Sequence, residues 1–264
     1  MYSLEHVNFL NQIKRRKRLI RITQISIISF LIILWQVLAD FNIINTFIYS
    51  SPKAIINTII SLYNDGSLFR HIWITFYEVF ISFILGTVIG FLIATLLWRF
   101  EFLARVLDPY LTVLNSLPKV SLGPIIIILA GASMRSIILM ALFISVIITI
   151  MNVYQYFINT DVNKIKLMES FKASKRQIYF KLILPSNFKN FINTFKINIS
   201  LTFIGVIMGE FLVSKSGVGY LIMYGSQVFN LNLVMTGIII LAIMASILYY
   251  LIVFLEKRLK KCSK

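Results

Sequence analysis

Six apolar segments, separated by short polar ones, organise the chain: 22–39, 76–98, 110–131, 136–151, 197–213 and 233–255. A helix of about 20 mostly apolar residues crosses the roughly 30 Å of hydrocarbon, and it satisfies every backbone group internally. The pattern therefore predicts an all-α polytopic membrane protein with six spans in a domain over 22–255. A basic N-terminus (1–21) precedes that domain and a basic tail (256–264) follows it.

The segments are not equivalent. In the second, Gly86 and Gly90 form a small-xxx-small pair that Ala94 extends by one turn, a face that lets another helix approach closely. The third is interrupted. Asp108-Pro109-Tyr110 leads to Leu117-Pro118-Lys119 and then Gly123-Pro124, and 125–131 is too short to span alone. Proline removes a helix donor and clashes with the preceding turn, so a kinked or broken span is predicted. The fifth carries Gly205, Gly209 and Glu210, followed by Phe211-Leu212 and Gly217-Val218-Gly219-Tyr220. Between the first two spans, turn residues at 49–52 and 64–66 bracket a short amphipathic helix over 53–63.

The interior loop, 152–196, holds the longest charge-rich stretch, 161–185. It carries Lys164, Lys166, Lys172, Lys175, Arg176 and Lys181 against Asp161 and Glu169. Ser174 and Gln177 form a capping box that starts a helix at Lys175, and Asp161 caps an earlier helix running to about Lys172. Pro185 is expected to end the second helix at Leu184. Two short helices with a turn near Ala173 result, with Ile165, Met168, Leu182 and Leu184 facing neighbouring helices.

Composition agrees: 58% hydrophobic residues, 14% charged, mean hydropathy +0.85. The net charge of +16 does not indicate nucleic acid, because its distribution is topological. Lys and Arg number 6 in the N-terminus, 3 in 99–119, 8 in 152–196 and 5 in the tail; the alternate segments hold only Lys53, Arg70, Arg135 and Lys215. Six spans put every basic segment, and both termini, on the cytoplasmic side. The lone cysteine, Cys262, forms no internal disulfide, and His6 and His71 are too far apart in sequence to suggest a metal site. No phosphate-binding loop, nucleophile elbow or dinucleotide fingerprint occurs, so any energy source lies in another chain or an ion gradient.

The interior loop resembles the cytoplasmic EAA loop of ABC-importer permeases, in the branch for nitrate, sulfonates, taurine and related solutes. Ala173-Ser174, Gln177 and Ile183-Leu184-Pro185 match its pattern. Lys166-Leu167-Met168 occupy the E-A-A slot, Lys172 the glycine slot, and Glu169 lies three residues out of register. Leu117-Pro118-Lys119-Val120, Gly123-Pro124 and Gly131 are similar to a second run of this family. Glu210-Phe211-Leu212 with Gly217-Val218-Gly219-Tyr220 is similar to a third. The resemblance covers 50–255.

The resemblance implies a type I importer permease in a bacterial inner or plasma membrane, working as a homodimer with the pathway between its copies. It implies a cytoplasmic ATPase dimer that binds ATP and Mg²⁺, an extracytoplasmic substrate-binding protein, and no cofactor in this chain. Coupling to the ATPase falls to Lys166, Leu167, Met168, Lys172, Ala173, Ser174, Gln177, Leu184 and Pro185. Path or gate roles fall to Pro118, Lys119, Gly123, Pro124, Glu210, Phe211, Gly217 and Gly219. The solute is nitrate-, sulfonate- or taurine-like, or a thiamine-precursor pyrimidine.

Two rivals stand beside this reading. An ion-coupled secondary transporter shows repeats and buried ionisable residues near the midplane, and only Glu78 and Glu210 approach that description, near span ends. A membrane transferase needs clustered catalytic groups, which the sequence lacks. Glu78 occupies a slot where the resemblance implies a basic residue, and it reads as a solvated or paired interfacial carboxylate. Glu210 reads as a structural or interfacial carboxylate, its candidate partners being Lys215, Lys119 and Arg135.

Overall fold

The computed structural model describes residues 4–262, and these are helical with short connections and no strand among them. A long helix, α1 (Leu4–Asp40), leads to a single turn, α2 (Thr46–Tyr49), and to the amphipathic α3 (Pro52–Asn64). Helix α3 starts where expected: the Ser51 hydroxyl accepts from the Ala54 N–H at 3.2 Å, and Pro52 takes the first helical position. Next come α4 (Ser67–Arg99), α5 (Glu101–Ser116), a 3₁₀ turn at Lys119–Leu122, α6 (Gly123–Ala130) and α7 (Met134–Ile158). The interior loop holds α8 (Val162–Ser170), α9 (Lys175–Ile178), a π turn at Tyr179–Ile183 and α10 (Leu184–Ser186). Helices α11 (Phe188–Val213), α12 (Val218–Gln227) and α13 (Leu231–Cys262) complete the chain. Of the N-terminus and tail, residues 1–3 and 263–264 lie outside the described residues.

Among the described residues, five helices are long and apolar enough to cross a membrane. A sixth span exists if the pair at Glu101–Ser116 and Lys119–Ala130, bent by 89°, counts as one. The predicted break thus falls at Leu117-Pro118. Pro124 breaks nothing, because it occupies the first turn of α6, where no intrahelical donor is required. The helices outrun the predicted spans. The second segment, read as 76–98, is helical over 67–99, and the fifth, read as 197–213, over 188–213. The interior loop shortens accordingly, from 152–196 to 159–187. Hydropathy finds the part that suits lipid, whereas a helix continues into water wherever its polar residues tolerate the conformation.

The core is a three-helix seam of α4, α7 and α11, made close by small residues. A side chain at Gly86 would meet the Ser145 hydroxyl at 2.6 Å, and one at Gly90 the Thr149 side chain at 2.6 Å. Gly205 lies directly on the backbone of Ala141, and Gly209 on Ile137. In a bilayer, such close van der Waals packing replaces the hydrophobic drive that holds soluble helices together. Ala94, the third member of the predicted row, is fully buried beside Val153 and Phe157. At the basic end of the seam, Phe91, Phe157 and Phe191 meet edge to face, their ring centres 5.3–5.9 Å apart.

Candidate functional site

At the end of the bundle with few basic residues, α12 starts against α4 and α11. A helix begins with backbone N–H groups that have no partner inside the helix. Here side chains distant in sequence supply them. Gly217 N–H donates to His71 Nδ1 (2.9 Å) and Val218 N–H to Thr75 Oγ1 (2.8 Å). Gly219 N–H (2.5 Å) and Tyr220 N–H (3.3 Å) donate to Glu210 Oε2, while Thr75 Oγ1 donates to Glu210 Oε1 (2.6 Å). The His71 ring stacks on Tyr220, centres 6.0 Å apart. Glu210 is thus a buried cap on a helix start, where the helix dipole also favours its charge.

This arrangement corrects two sequence readings. Glu210 forms no ion pair with Lys215, Lys119 or Arg135; its partners are backbone donors, a hydroxyl and the Glu78 carboxyl. Glu78 is neither solvated nor ion-paired: it is buried, and it lies against Glu210. The spacing of the two glycines also gains a cause. A Cβ on Gly217 would collide with the Glu210 carboxyl, and one on Gly219 would lie 2.6 Å from Oε2. Gly217 further adopts φ +118°, which side chains disfavour. His71 and Thr75 were not legible as functional residues. Their signal is spacing: His71, Thr75 and Glu78 stand at i, i+4 and i+7, one polar stripe on an apolar helix.

The other predicted path residues lie along the broken helix. Lys119 Nζ donates to the Asn115 carbonyl (2.8 Å) and to Asn115 Oδ1 (3.2 Å), closing the end of α5 next to Pro118. Gly123 lets α6 settle on α11 and α7: a Cβ there would meet Leu212 at 2.7 Å and Met140 at 3.0 Å. Phe211 is half-buried. On the opposite face of α6, Ile128 and Leu129 are each 81% exposed. They form an apolar surface with no partner among the described residues.

The interior loop sits about 30 Å away, at the other end of α4. Asp161 caps α8 by accepting from the Asn163 N–H (2.9 Å), and the Ser174–Gln177 capping box forms at 3.3 and 2.7 Å. Helix α8 stops at Ser170 rather than near Lys172, because a Schellman motif closes it. Lys172 N–H reaches the Glu169 carbonyl (2.8 Å) and Ala173 N–H the Met168 carbonyl (3.0 Å). That motif requires a left-handed residue, and Lys172 adopts φ +56°. A left-handed conformation costs a side-chain-bearing residue about 1 kcal/mol. Lys172→Gly is therefore expected to stabilise the loop by up to about 1 kcal/mol, read as slower amide exchange of 162–178. Unchanged or faster exchange would refute it.

Pro185 does not end a helix at Leu184. Leu184 is helical (φ −62°, ψ −50°), and its N–H reaches back to the Tyr179 carbonyl across the π turn. The wider turn gives the Pro185 ring room that a regular α turn lacks. Asn187 ends the run instead, its side chain donating to Thr160 Oγ1 (2.8 Å) and the Ile183 carbonyl (3.0 Å). Tyr179 anchors the loop to the seam. Its hydroxyl bonds Thr95 (2.7 Å) and its ring packs on Trp98 (5.1 Å) and Phe157 (5.6 Å). Burial raises its hydroxyl pKa, and the Thr95 hydrogen bond partly offsets that. Ile165, Met168, Leu182, Leu184 and Ala173 pack inward, as expected of the first four. Lys166, Leu167, Lys172, Lys175 and Phe171 point to solvent, with Ser174, Gln177 and Pro185 on the exposed rim.

A family model described as the binding-protein-dependent transport system inner membrane component matches residues 86–261. The chain is 27% identical over 233 residues to the putative aliphatic sulfonates transport permease protein SsuC of Bacillus subtilis, covering 88% of this chain and 84% of that one. It is 27% identical over 190 residues to the formylaminopyrimidine transport permease protein ThiX of Halalkalibacterium halodurans, covering 72% and 75%. Among solved structures, an inward-facing MetNI methionine ABC transporter chain superposes with a TM-score of 0.63 at 20% identity, over 75% of this chain and 97% of that one.

Proposed function

The chain belongs to the family of binding-protein-dependent transport system inner membrane components, and on that basis we propose how its two sites divide the work of an ABC-importer permease in a bacterial inner membrane. Membership of the family also displaces the ion-coupled alternative. The α8–α9 loop is the lever. It faces the cytoplasm, where a dimer of a separate ATPase subunit binds and hydrolyses ATP. Two copies of the permease enclose the path, and the exposed Ile128 and Leu129 face of α6 lies at their junction. An extracytoplasmic binding protein delivers the solute to the end where Glu210 caps α12. The solute carried is a small polar molecule of the kind named for the two relatives, a sulfonate or formylaminopyrimidine, and those names support the class.

The observation that carries this reading is the build of the loop. A Schellman motif, a capping box and the Asn187–Thr160 hydrogen bond make it a rigid unit, and Tyr179 roots it on α4 and α7. Its solvent side joins apolar tips, Leu167 and Phe171, to Lys164, Lys166, Lys172 and Lys175. Such a surface suits a partly apolar cleft with an acidic rim.

Ala173 sits at the hinge between the two short helices, and Ala173→Glu tests the assignment. In vesicles containing the whole importer, the variant is expected to insert normally and to lose at least about tenfold in transport, while ATP hydrolysis continues; a tenfold change equals about 1.4 kcal/mol of coupling. Transport at the wild-type rate would remove the lever assignment.

A further inference from the structure

Glu78 is the member of the corner that capping of α12 leaves unused. Its side chain is 1% exposed, and Oε2 has no hydrogen-bond partner. Its other carboxyl oxygen shares a hydrogen bond with the Glu210 carboxyl, whose oxygens also take the Gly219, Tyr220 and Thr75 donors. Two carboxyl groups in contact repel when both are ionised. Among the described residues, no basic side chain forms an ion pair with either one. His71 faces the corner, but its Nδ1 is occupied as an acceptor by Gly217.

Beside Glu78 lies a cavity of about 310 Å³. Ser133, Ser214, Ser216 and Lys215 line it together with Glu78. The Ser214 hydroxyl is tied to its own turn through Ser216, and Lys215 is exposed at the rim. Carboxylate and hydroxyl oxygens are the ligands that hard cations take, and the volume also admits a small organic molecule.

We propose that this cavity is a cation site, in which a small inorganic ion or the ammonium head of an amine sits against the unpartnered Glu78 Oε2 and takes the place of the proton shared by Glu78 and Glu210 as the charge that offsets the two carboxyl groups. The site lies within one copy of the chain and does not depend on the transport reading. Lys215 sets an electrostatic threshold at its mouth, so removing that charge tightens binding.

The test uses the full chain in nanodiscs of uncharged lipid, with ionic strength and pH held constant by tetraethylammonium chloride and buffer. Sodium, potassium, calcium and methylammonium chlorides are titrated separately, and the melting temperature is read. At about a hundredfold excess over its dissociation constant, a bound cation raises the midpoint by roughly 5 °C, and the rise saturates. A rise with an inorganic salt identifies a bare ion; a rise with methylammonium alone identifies an amine. Glu78→Gln is expected to abolish the rise, and Lys215→Ala to lower the half-saturating concentration several-fold. The proposal fails if no cation exceeds the tetraethylammonium control, if Glu78→Gln keeps the full rise, or if the midpoint answers to pH alone, since a proton then fills the role. Should Glu78→Gln not fold, the wild-type titration and Lys215→Ala still decide.

Discussion

Glu210→Ala is expected to lower the stability of the permease by at least about 2 kcal/mol, because it strips the acceptor from three donors at once, two of them buried. Leaving a buried donor unsatisfied costs about 1–3 kcal/mol, and here the Gly219 and Tyr220 N–H groups and the Thr75 hydroxyl all lose their acceptor. Glu210→Gln keeps one oxygen but turns an NH₂ toward a second donor, so roughly half the loss is expected. Gly219→Ala attacks the same contact from the other side, since its new methyl group would lie 2.6 Å from Oε2 and 2.9 Å from the Glu210 Cβ. The double variant Glu210→Ala, Gly219→Ala is therefore expected to cost less than the sum of the single changes. Thermal midpoints in nanodiscs, with limited proteolysis between α11 and α13, measure all four. An alanine variant as stable as wild type would show that Glu210 does not hold α12.

Gly205→Val is expected to prevent assembly of the bundle. Its Cβ would land on the Ala141 backbone, which cannot rotate away as a side chain can. Relief requires α11 to move off α7, with loss of the Gly209–Ile137 contact one turn on. Ordinary overpacking costs about 1–3 kcal/mol, and here the whole interface is displaced, so the loss exceeds that range. Gly86→Ala offers a control on the same seam. The nearest obstacle is the Ser145 hydroxyl at 2.6 Å, a group that can change rotamer. Folded yield and melting temperature should therefore fall far more for Gly205→Val than for Gly86→Ala. Equal effects would mean that the α7–α11 contact is not the closer of the two.

Much of this was legible locally. The Ser174–Gln177 box, the Asp161 cap and the Gly86–Gly90–Ala94 row each depend on residues within two or three turns, and each forms as the spacing indicates. Two local readings miscarried for identifiable reasons. Pro185 looked like a stop because an α turn has no room for its ring, and a π turn made the room. The first loop helix ends at Ser170 instead of near Lys172, because the Schellman bonds hold Lys172 left-handed despite the cost. What sequence could not give was the capping of α12, since its partners lie on another helix. Glu210 looked like half of an ion pair, because charge pairing can be guessed from composition and a remote helix start cannot. The buried contact with Glu78 was hidden for the same reason.

The remoteness of those partners bears on biogenesis. His71 and Thr75 leave the ribosome 146 and 143 residues before the N–H groups they serve. At roughly 5–20 residues per second, that interval lasts about 7–30 s. During it, α4 carries a polar stripe in the membrane whose permanent partners do not yet exist. Water at the lipid boundary, or the insertion machinery itself, has to solvate that stripe until α12 emerges. A nascent chain stalled before Gly217 would thus hold α4 less firmly in the bilayer than the finished protein does, and the corner closes only once Gly217–Tyr220 have emerged.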